Sequence, residues 1–341
     1  MAKHLVTGGS GFLGNLIARR LLNAGEEVAV LDKWQDPTQP KEIRFIEADI
    51  RDESNVRRAM KGMNYIHHNV ALVPLTKSGK DFWDVNVNGS EIASRIARES
   101  GVDNFIHMSS SAIYGAPQQQ PITSTTPLKP IEIYGRGKLA GERAVAKNLS
   151  DGETNLVVIR PRTILGPGRL GIFQILFEWI QSNRNIYTIG GGENLFQFIH
   201  AHDLMDAYMI AISQDRSLTL NVGTTEFSSL NDALSNLISF AGSTSKIRHL
   251  PVTPTITALK MADKLKISPL APWHYLTYHK PFYFDTAPLV ELGWRSNYSN
   301  DSMLKEAYSD FLKNPDGGLS NESPHRKALH GRILNVVKRF S

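Results

Sequence analysis

Short apolar runs alternate with amphipathic stretches through the first half of the chain. Runs of the first kind predict buried strands, and apolar residues that recur every three or four positions predict helices packed on them. The predicted strands are residues 4–6, 28–32, 43–50, 65–71, 103–109 and 156–160, and the predicted helices include residues 12–22, 56–61, 92–99 and 138–148. This alternation predicts an α/β fold with a doubly wound parallel sheet of the Rossmann type.

The alternation weakens after about residue 165, where the sequence becomes more irregular. We therefore expect residues 1–165 to form the sheet domain, with a later segment at about 195–225 returning to it. Residues 166–315 are expected to form mainly a smaller C-terminal lobe that binds the substrate. A basic amphipathic tail follows at residues 319–341.

A glycine-rich turn, TGGSGFLG at residues 7–14, follows the first predicted strand and opens the first predicted helix. Bare backbone N–H groups at such a helix N-terminus bind a pyrophosphate, and a side chain would obstruct its approach. Asp32 ends the second predicted strand, and a carboxylate there accepts hydrogen bonds from a ribose diol and repels a 2′-phosphate. The pattern predicts NAD rather than NADP, although Lys33 follows directly and weakens this preference. The predicted cofactor contacts in this region are Gly8, Gly11, Phe12, Leu13, Gly14 and Asp32.

Loops at the carboxyl ends of the strands are expected to converge on one crevice, because ligands of such sheets bind there. In these loops we expect Asp49 and Ile50 to meet the adenine, and Val70 and Ala71 to cover the cofactor. Pro161, directly after the sixth predicted strand, belongs to the same set of predicted cofactor contacts.

Tyr134 and Lys138 are four residues apart in the segment YGRGK, so both side chains lie on one face of a helix. A neighbouring ammonium stabilises a phenolate, which lets a tyrosine with an ordinary pKa of about 10 act as a base. The same spacing also occurs in amphipathic helices with a solvated lysine. The segment SSSAIYG at residues 109–115 favours the chemical interpretation, because it places hydroxyl groups at the end of the fifth predicted strand.

These motifs together resemble the extended short-chain dehydrogenase/reductases, the NAD-dependent epimerase/dehydratase family. The matching segments cover roughly residues 3–225 in the family's order. They are TGGSGFLG, Asp32, ADIRD at 48–52, NVNGS at 86–90, SSSAIYG, YGRGK, RPRTILGPG at 160–168 and FIHAHDL at 198–204.

The resemblance implies a catalytic set of Ser110, Tyr134 and Lys138, which exchanges a hydride between a secondary alcohol and the nicotinamide of NAD. Tyr134 would take the proton, Lys138 would hold the tyrosinate and the nicotinamide ribose, and Ser110 would hydrogen-bond the forming carbonyl. Dehydratases of the family carry an acid pair directly after the catalytic hydroxyl. Here those positions are Ser111 and Ala112, so dehydration is disfavoured. Whether Ser111 shares the role of Ser110 is left open.

Two reactions on a small-molecule substrate remain open. One is C4 epimerisation of a nucleotide sugar by transient oxidation. The other is a dehydrogenase or ketoreductase reaction on a hydrophobic lipid-, steroid- or polyketide-like substrate. A non-catalytic NAD sensor is a third interpretation, which the retained Ser110, Tyr134 and Lys138 disfavour.

The substrate lobe bears on this choice. In the resembling enzymes a diphosphate-binding arginine precedes the segment FIHAHDL, whereas this chain has Phe196-Gln197 there. Alternative cations for a diphosphate are Arg162, Arg169 and Arg184. Two aromatic stretches, residues 172–179 and 272–284, either line an apolar pocket or belong to the core.

Composition narrows the class of protein further. The 341 residues contain 41% hydrophobic residues, no cysteine and a net charge of +5. We find no apolar run of the about 18 residues that span a bilayer and no leader pattern, so we expect a cytoplasmic protein. The histidine spacing gives no support for a metal site, and the dispersed cations do not indicate nucleic-acid binding.

Two partner surfaces are also expected. By resemblance to the family, helices around residues 86–99 and 134–148 form a homodimer. In the tail, Leu329, Ile333 and Val337 recur at helical spacing among several arginines and lysines. Such a helix either lies on an anionic membrane surface as a peripheral contact or docks on its own domain or a partner subunit.

Overall fold

Eleven strands are found in the computed structural model, which describes residues 1–72, 80–169, 173–265, 268, 270 and 272–314. They are β1 (Lys3–Thr7), β2 (Glu27–Asp32), β3 (Arg44–Glu47), β4 (Tyr65–His68), β5 (Asn104–Met108), β6 (Asn155–Pro161), β7 (Thr163–Leu165), β8 (Ile186–Ile189), β9 (Phe198–His200), β10 (Leu218–Val222) and β11 (Ile247–Leu250). Seven of them form one sheet in the order β10-β6-β5-β4-β1-β2-β3, with every neighbouring pair parallel. This order confirms the predicted doubly wound sheet.

Twelve α-helices are described along the chain. They are α1 (Phe12–Asn23), α2 (Glu53–Met60), α3 (Lys80–Trp83), α4 (Gly89–Glu99), α5 (Ile133–Asn148), α6 (Phe173–Gln181), α7 (Ala201–Ile212), α8 (Leu230–Phe240), α9 (Val252–Lys264), α10 (Pro272–Thr277), α11 (Ala287–Glu291) and α12 (Asn300–Lys313). A π-helical turn at Asp84–Asn88 precedes α4, and a 3₁₀ turn at Ser111–Tyr114 follows β5. The predicted basic tail at 319–341 lies outside the described residues.

Helices cover both faces of the sheet, because successive side chains of a strand point to opposite sides. On one face, Val6 and Val30 pack with residues of α1 and α7, such as Ile17 and Tyr208. On the other, the neighbouring Leu5 and Leu31 pack with residues of α2, α4 and α5. With both faces buried, the strands read as continuous apolar runs, which is the pattern that the sequence shows.

A separate aromatic core holds the C-terminal part of the chain together. Phe177 of α6 packs on Phe311 of α12 and shares a cluster with Leu234 of α8 and Phe282. Two short parallel ladders, β7 with β9 and β8 with β11, belong to this part. The sequence analysis did not predict these ladders, since three- and four-residue strands give almost no periodic signal.

Asp203 anchors the segment that precedes α12. Its carboxylate is fully buried and accepts hydrogen bonds from Asn297 N at 3.0 Å, Asn297 Nδ2 at 3.0 Å and Tyr298 N at 3.0 Å. Its main-chain carbonyl accepts a further hydrogen bond from Trp294 Nε1 at 2.9 Å. The acid of the FIHAHDL motif therefore ties α7 to residues 294–298.

Replacing Asp203 by Asn is expected to lower the free energy of unfolding by about 2–3 kcal/mol, because buried N–H donors then face an amide that cannot accept all of their hydrogen bonds. Urea denaturation measures this loss. Asp206→Asn is the matched control on the same helix. Its carboxylate pairs with Arg20 at the surface, and such a pair contributes about 0–1 kcal/mol. Equal losses in the two variants would contradict the anchoring role of Asp203.

Candidate functional site

The glycine turn between β1 and α1 forms a bare backbone cradle. Gly8 has a positive φ of 70°, and a Cβ there would lie 2.9 Å from Val70 N. A Cβ on Gly14 would lie 2.2 Å from Gly8 O, so only glycine lets α1 begin this close to the strand. No side chain caps α1 at Gly11. The first-turn N–H groups therefore fit a pyrophosphate, as an NAD site requires.

Asp32 lies beside this turn at the end of β2. Its Oδ2 accepts a hydrogen bond from Ser10 N at 3.0 Å, and its Oδ1 accepts one from Lys33 N at 2.7 Å. Burial raises the pKa of Asp32, and the two amide hydrogen bonds act against this rise. Phe12 and Leu13 form the first turn of α1. Phe12 is buried in the core behind the cradle, and Leu13 packs against that core.

The other predicted cofactor residues surround the same edge of the sheet. Asp49 binds Arg51 through both carboxylate oxygens, at 2.9 and 2.7 Å, and this hydrogen-bonded ion pair holds the pKa of Asp49 well below its usual range. Ile50 is buried, and its side chain packs against Gly89 of α4. Pro161 ends β6, where it pairs with Val222 of β10.

Val70 and Ala71 lie in the loop after β4, where the backbone of Val70 adjoins Gly8. The loop is held by Asn86, whose Oδ1 accepts a hydrogen bond from Leu72 N at 2.8 Å and whose Nδ2 donates to Leu72 O at 3.0 Å. The first asparagine of the NVNGS motif thus positions this loop. The sequence analysis matched the motif but assigned no role to Asn86.

Ser110 and Tyr134 meet at the carboxyl end of β5. Tyr134 is in the first turn of α5, and its phenol lies beside the Ser110 side chain. Gly135 makes this approach possible, since a Cβ there would lie 2.5 Å from Ala112 O. Burial raises the pKa of Tyr134, and the neighbouring Ser110 hydroxyl acts against this rise.

Glu132 fixes the start of α5. Its two carboxylate oxygens accept hydrogen bonds from Tyr134 N and Gly135 N, each at 2.6 Å. The sequence analysis missed this residue, because glutamate is not among the residues that usually cap a helix N-terminus.

Lys138 is buried one turn further along α5. Its Nζ donates a hydrogen bond to Met108 O at 2.9 Å. Burial lowers the pKa of Lys138 to about 8, and the carboxylate of Glu142 acts against this shift. The ammonium is therefore directed to the end of β5, directly before the serine segment.

A buried network anchors α5 to the sheet. Glu142, four residues after Lys138, forms an ion pair with Arg160 of β6 and accepts a hydrogen bond from Ser109 Oγ at 2.6 Å. Arg160 Nη1 donates to the Tyr114 hydroxyl at 2.8 Å. The sequence analysis did not identify Glu142, because its partner lies 18 residues away on a strand.

The three arginines considered for a diphosphate are placed differently. Arg162 is fully buried, donates to Gln197 O at 2.9 Å and to Ser111 Oγ at 3.2 Å, and lies 4.0 Å from the ring centroid of Phe282. Arg184 is exposed at the end of α6. Arg169 lies over the ring of Phe12, 5.3 Å from its centroid.

Ser111 and Gln197 are both engaged in packing the site. Ser111 faces Arg162, whereas Ser110 faces the phenol of Tyr134. Gln197 is buried, donates to Thr224 O at 2.7 Å and accepts from Phe284 N at 2.9 Å. Phe196 and Gln197, which stand where the resembling enzymes have that arginine, therefore supply a buried ring and a structural amide here.

Most described aromatic residues of the two predicted stretches belong to the core. Phe173, Phe177, Phe282 and Phe284 are buried in one cluster with residues of α8 and α12.

Among the described helices, none combines the length and the apolar character that a membrane span requires.

Comparison with known proteins gives one family. The model of the NAD dependent epimerase/dehydratase family matches residues 4–223. A protein of Sinorhizobium fredii, y4nG, which is described as uncharacterized, is 38% identical over 98% of this chain and 85% of its own length.

Two characterised relatives differ in activity. The sterol-4-alpha-carboxylate 3-dehydrogenase of Mus musculus is 31% identical over 63% of this chain and 61% of its own length, so the chain spans less than two thirds of it. The UDP-glucose 4-epimerase of Streptomyces lividans is 26% identical over 65% of this chain and 75% of its own length.

A solved structure shares the fold over nearly the whole chain. The NAD complex of UDP-glucuronic acid 4-epimerase from Bacillus cereus superposes with a TM-score of 0.74 at 19% identity, over 91% of this chain and 99% of that chain. The family match confirms the resemblance inferred from the motifs, and with it the prediction of an NAD-dependent enzyme of the extended short-chain type. The chain belongs to the NAD-dependent epimerase/dehydratase family.

Proposed function

We propose that this protein catalyses C4 epimerisation of a nucleotide sugar, through NAD-dependent oxidation of a secondary alcohol and reduction of the resulting ketone. The observation that carries the proposal is the contact between Ser110 and Tyr134 at the carboxyl end of β5, at the same edge of the sheet as the glycine turn. NAD, bound at that turn, supplies the acceptor and donor of the hydride.

Each residue around the proposed reaction has a distinct role. Tyr134 accepts the alcohol proton, and Ser110 hydrogen-bonds both the phenol and the developing carbonyl oxygen. Lys138 is held by Met108 O and supplies positive charge at the end of β5, where it orients the ribose of the nicotinamide. Glu132 and Glu142 position α5 and do not touch the substrate.

For the cofactor, we propose contacts through the backbone of Gly8, Gly11, Phe12, Leu13 and Gly14 and through the Asp32 carboxylate. Asp49, Ile50, Val70, Ala71 and Pro161 complete the proposed contact set. The side chains of Asp49 and Ile50 are already engaged by Arg51 and by the core, so we assign their contacts to the backbone.

A second candidate is a dehydrogenase or ketoreductase that acts on a hydrophobic substrate. Two observations favour it. The relative from Mus musculus is named as a sterol carboxylate dehydrogenase. The position before β9 holds the buried amide of Gln197, so it supplies no cation for a diphosphate.

Assembly and location are part of the proposal. We propose a cytoplasmic homodimer that forms through α4 and α5, in line with the family resemblance, and peripheral membrane contact through the tail at residues 319–341. Light scattering tests the dimer, and co-sedimentation with anionic vesicles, with and without residues 319–341, tests the tail.

We also propose that the chain divides into two parts. Residues 1–165, joined by residues 195–225, form a sheet domain, and residues 166–315 form mainly a substrate lobe.

The two candidate reactions predict opposite behaviour of the cofactor. With UDP-glucose, an epimerase is expected to form product without a net change in NADH absorbance, because the same hydride returns to the substrate. With a hydroxysterol carboxylate, a dehydrogenase is expected to produce NADH in proportion to product. Absorbance and product analysis on the same samples measure both. Stoichiometric NADH without an epimer would support the second candidate and contradict the first.

Tyr134→Phe removes the proposed base, and we expect kcat to fall by about 10²–10⁴-fold while NAD still binds. Turnover assays and calorimetric titration with NAD measure the two effects. Tyr187→Phe, at a partly exposed tyrosine of β8, is the matched control and is expected to keep its rate. An unreduced rate in Tyr134→Phe would remove Tyr134 from the mechanism.

The lowered pKa of Lys138 makes a prediction about stability. The folded pKa of about 8 lies below the ordinary lysine pKa of 10.5, so between these values the unfolded chain binds more protons than the folded one. The contribution of Lys138 to the free energy of unfolding therefore rises with pH, by about 1 kcal/mol from pH 8 to pH 9. Urea denaturation of the wild type and of Lys138→Met measures it, because the difference between the two isolates this group. A difference that does not change with pH would show an ordinary lysine.

A further inference from the structure

Three consecutive serines follow β5, and the middle one differs from its neighbours. Ser109 and Ser111 are buried, whereas Ser110 is partly exposed. Ser109 N donates a hydrogen bond to Ile159 O at 2.8 Å, so the first serine still belongs to the sheet. Ser110 has an extended backbone, with a φ of −162° and a ψ of 151°, and the 3₁₀ turn begins directly after it. The middle serine is therefore the accessible one of the three.

Each flanking serine is held by a buried charged group from a different element. Ser109 Oγ donates a hydrogen bond to Glu142 Oε2 of α5 at 2.6 Å. Ser111 Oγ accepts one at 3.2 Å from Nη1 of Arg162, which lies between β6 and β7. Because the Cα atoms of consecutive residues are a fixed distance of about 3.8 Å apart, the two bonds restrict the backbone of Ser110 from both sides.

The turn itself orients the Ser110 hydroxyl. Its Oγ accepts a hydrogen bond from Ala112 N at 3.2 Å, and its main-chain oxygen accepts one from Ile113 N at 3.4 Å. A hydroxyl that accepts a hydrogen bond keeps its own proton for donation. Since Ser111 is the first residue of the turn, a shift of Ser111 displaces the Ala112 amide and with it the group that orients Ser110.

Arg162 joins this turn to the C-terminal part of the chain. Its Nε donates to Gln197 O at 2.9 Å, and its guanidinium lies 4.7 and 4.0 Å from the ring centroids of Phe196 and Phe282. Among the described residues, Ser111 is the only side chain that accepts a hydrogen bond from it. An apolar side chain would fill such an aromatic environment without the desolvation cost of a charge. The arginine adds a planar fork, whose donors fix the distance between Gln197 and the serine turn.

We propose that Arg162 and Ser111 are positioning residues, which together hold the Ser110 hydroxyl in place for the reaction. The inference rests on the proposed function, in which Ser110 binds the developing carbonyl oxygen. It gives the two serines separate roles, since the oxygen of Ser111 binds Arg162 and the oxygen of Ser110 serves the substrate. The placement of Ser110 then depends on the C-terminal part of the chain as well as on the sheet.

The first test observes the surroundings of Tyr134 by NMR and needs no turnover. The protein is labelled with tyrosine carrying ¹³C at Cζ and is studied at neutral pH in complex with NAD. Of the ten tyrosines in the chain, the signal that is lost in Tyr134→Phe reports Tyr134. Ser110→Ala is expected to shift this signal, because it removes the hydroxyl beside the phenol. Ser111→Ala and Arg162→Met are expected to shift it in the same direction, because each releases the serine turn.

A double variant and a control separate positioning from general damage. In the Ser110→Ala protein, adding Ser111→Ala is expected to shift the signal no further, because the group that is positioned is already gone. Thr154→Val is the control, since it also removes a buried hydroxyl. Thr154 Oγ1 donates to Val102 O at 2.8 Å, at the opposite end of β6 from the site. The Tyr134 signal of this variant is expected at the wild-type position.

Turnover gives a second readout. The substrate is UDP-glucose or a hydroxysterol carboxylate, whichever the wild type converts. Ser111→Ala is expected to lower kcat by about 10²-fold with KM unchanged, because a displacement of about 1 Å in a catalytic group can cost this much. In the Ser110→Ala protein it is expected to lower kcat no further, and Thr154→Val is expected to keep its rate.

Five outcomes would overturn the inference. They are a Tyr134 signal that Ser110→Ala does not move, one that Ser111→Ala leaves at the wild-type position, one that a folded Arg162→Met protein leaves there, a further shift in the double variant, and an equal shift in Thr154→Val. Ser111→Ala removes a single hydroxyl, so it decides the matter even if Arg162→Met does not fold.

The proposed function is judged separately. Absence of turnover with both substrates, or an active Tyr134→Phe protein, contradicts that function. Neither result changes what the spectra say about Arg162 and Ser111.

Discussion

The buried ion pair between Glu142 and Arg160 is the interaction on which the geometry of the site depends. Both side chains are removed from water, and Ser109 and Tyr114 supply further hydrogen bonds to them. Removing one partner of such a pair leaves an uncompensated buried charge, which typically costs about 3–5 kcal/mol. Because Glu142 is on α5 and Arg160 is on β6, the pair fixes the helix that carries the proposed base against the sheet.

A steric constraint shapes the cradle at the glycine turn. The chain crosses over in opposite directions on the two sides of β1, whose neighbours in the sheet are β2 and β4. A crevice opens at such a switch point beyond the carboxyl ends of the strands. The glycine turn and the loop after β4 meet there so closely that a Cβ on Gly8 would collide with Val70. The cradle is thus shaped by backbone, and its chemistry depends on amide groups rather than on side chains.

The C-terminal part of the chain contributes charge as well as shape. Arg162 has no carboxylate partner within 4.0 Å in the part of the chain that the structure describes, and the rings of Phe282 and Phe196 lie 4.0 and 4.7 Å from its guanidinium. Cation–π contacts of this kind stabilise a desolvated guanidinium by about 2 kcal/mol. Arg162 is therefore committed to joining β7, Gln197 and the aromatic cluster. Arg169, four residues past the end of β7, lies over the ring of Phe12.

The features that the sequence determined by itself depend on residues that are neighbours along the chain. The glycine turn, the Tyr134–Lys138 spacing and the alternation of strands and helices are local patterns, and each depends only on φ/ψ preference or side-chain periodicity. They were sufficient to predict the sheet, the family and NAD. The strands predicted at residues 43–50 and 65–71 end earlier in the structure, at Glu47 and His68. The residues that follow leave the regular pattern and form loops beside the crevice.

Only the tertiary structure decided which polar groups became partners. Asp203 meets residues 294–298, and Arg162 meets Ser111 and Gln197, both across separations that no local pattern encodes. The aromatic stretches were open to two interpretations for the same reason, and packing placed most of their described residues in the core. Whether a side chain binds a ligand, supports the structure or supplies a charge to a site depends on which groups the fold brings within about 3–4 Å of it. Hydrogen bonds and packing forces act only at that range.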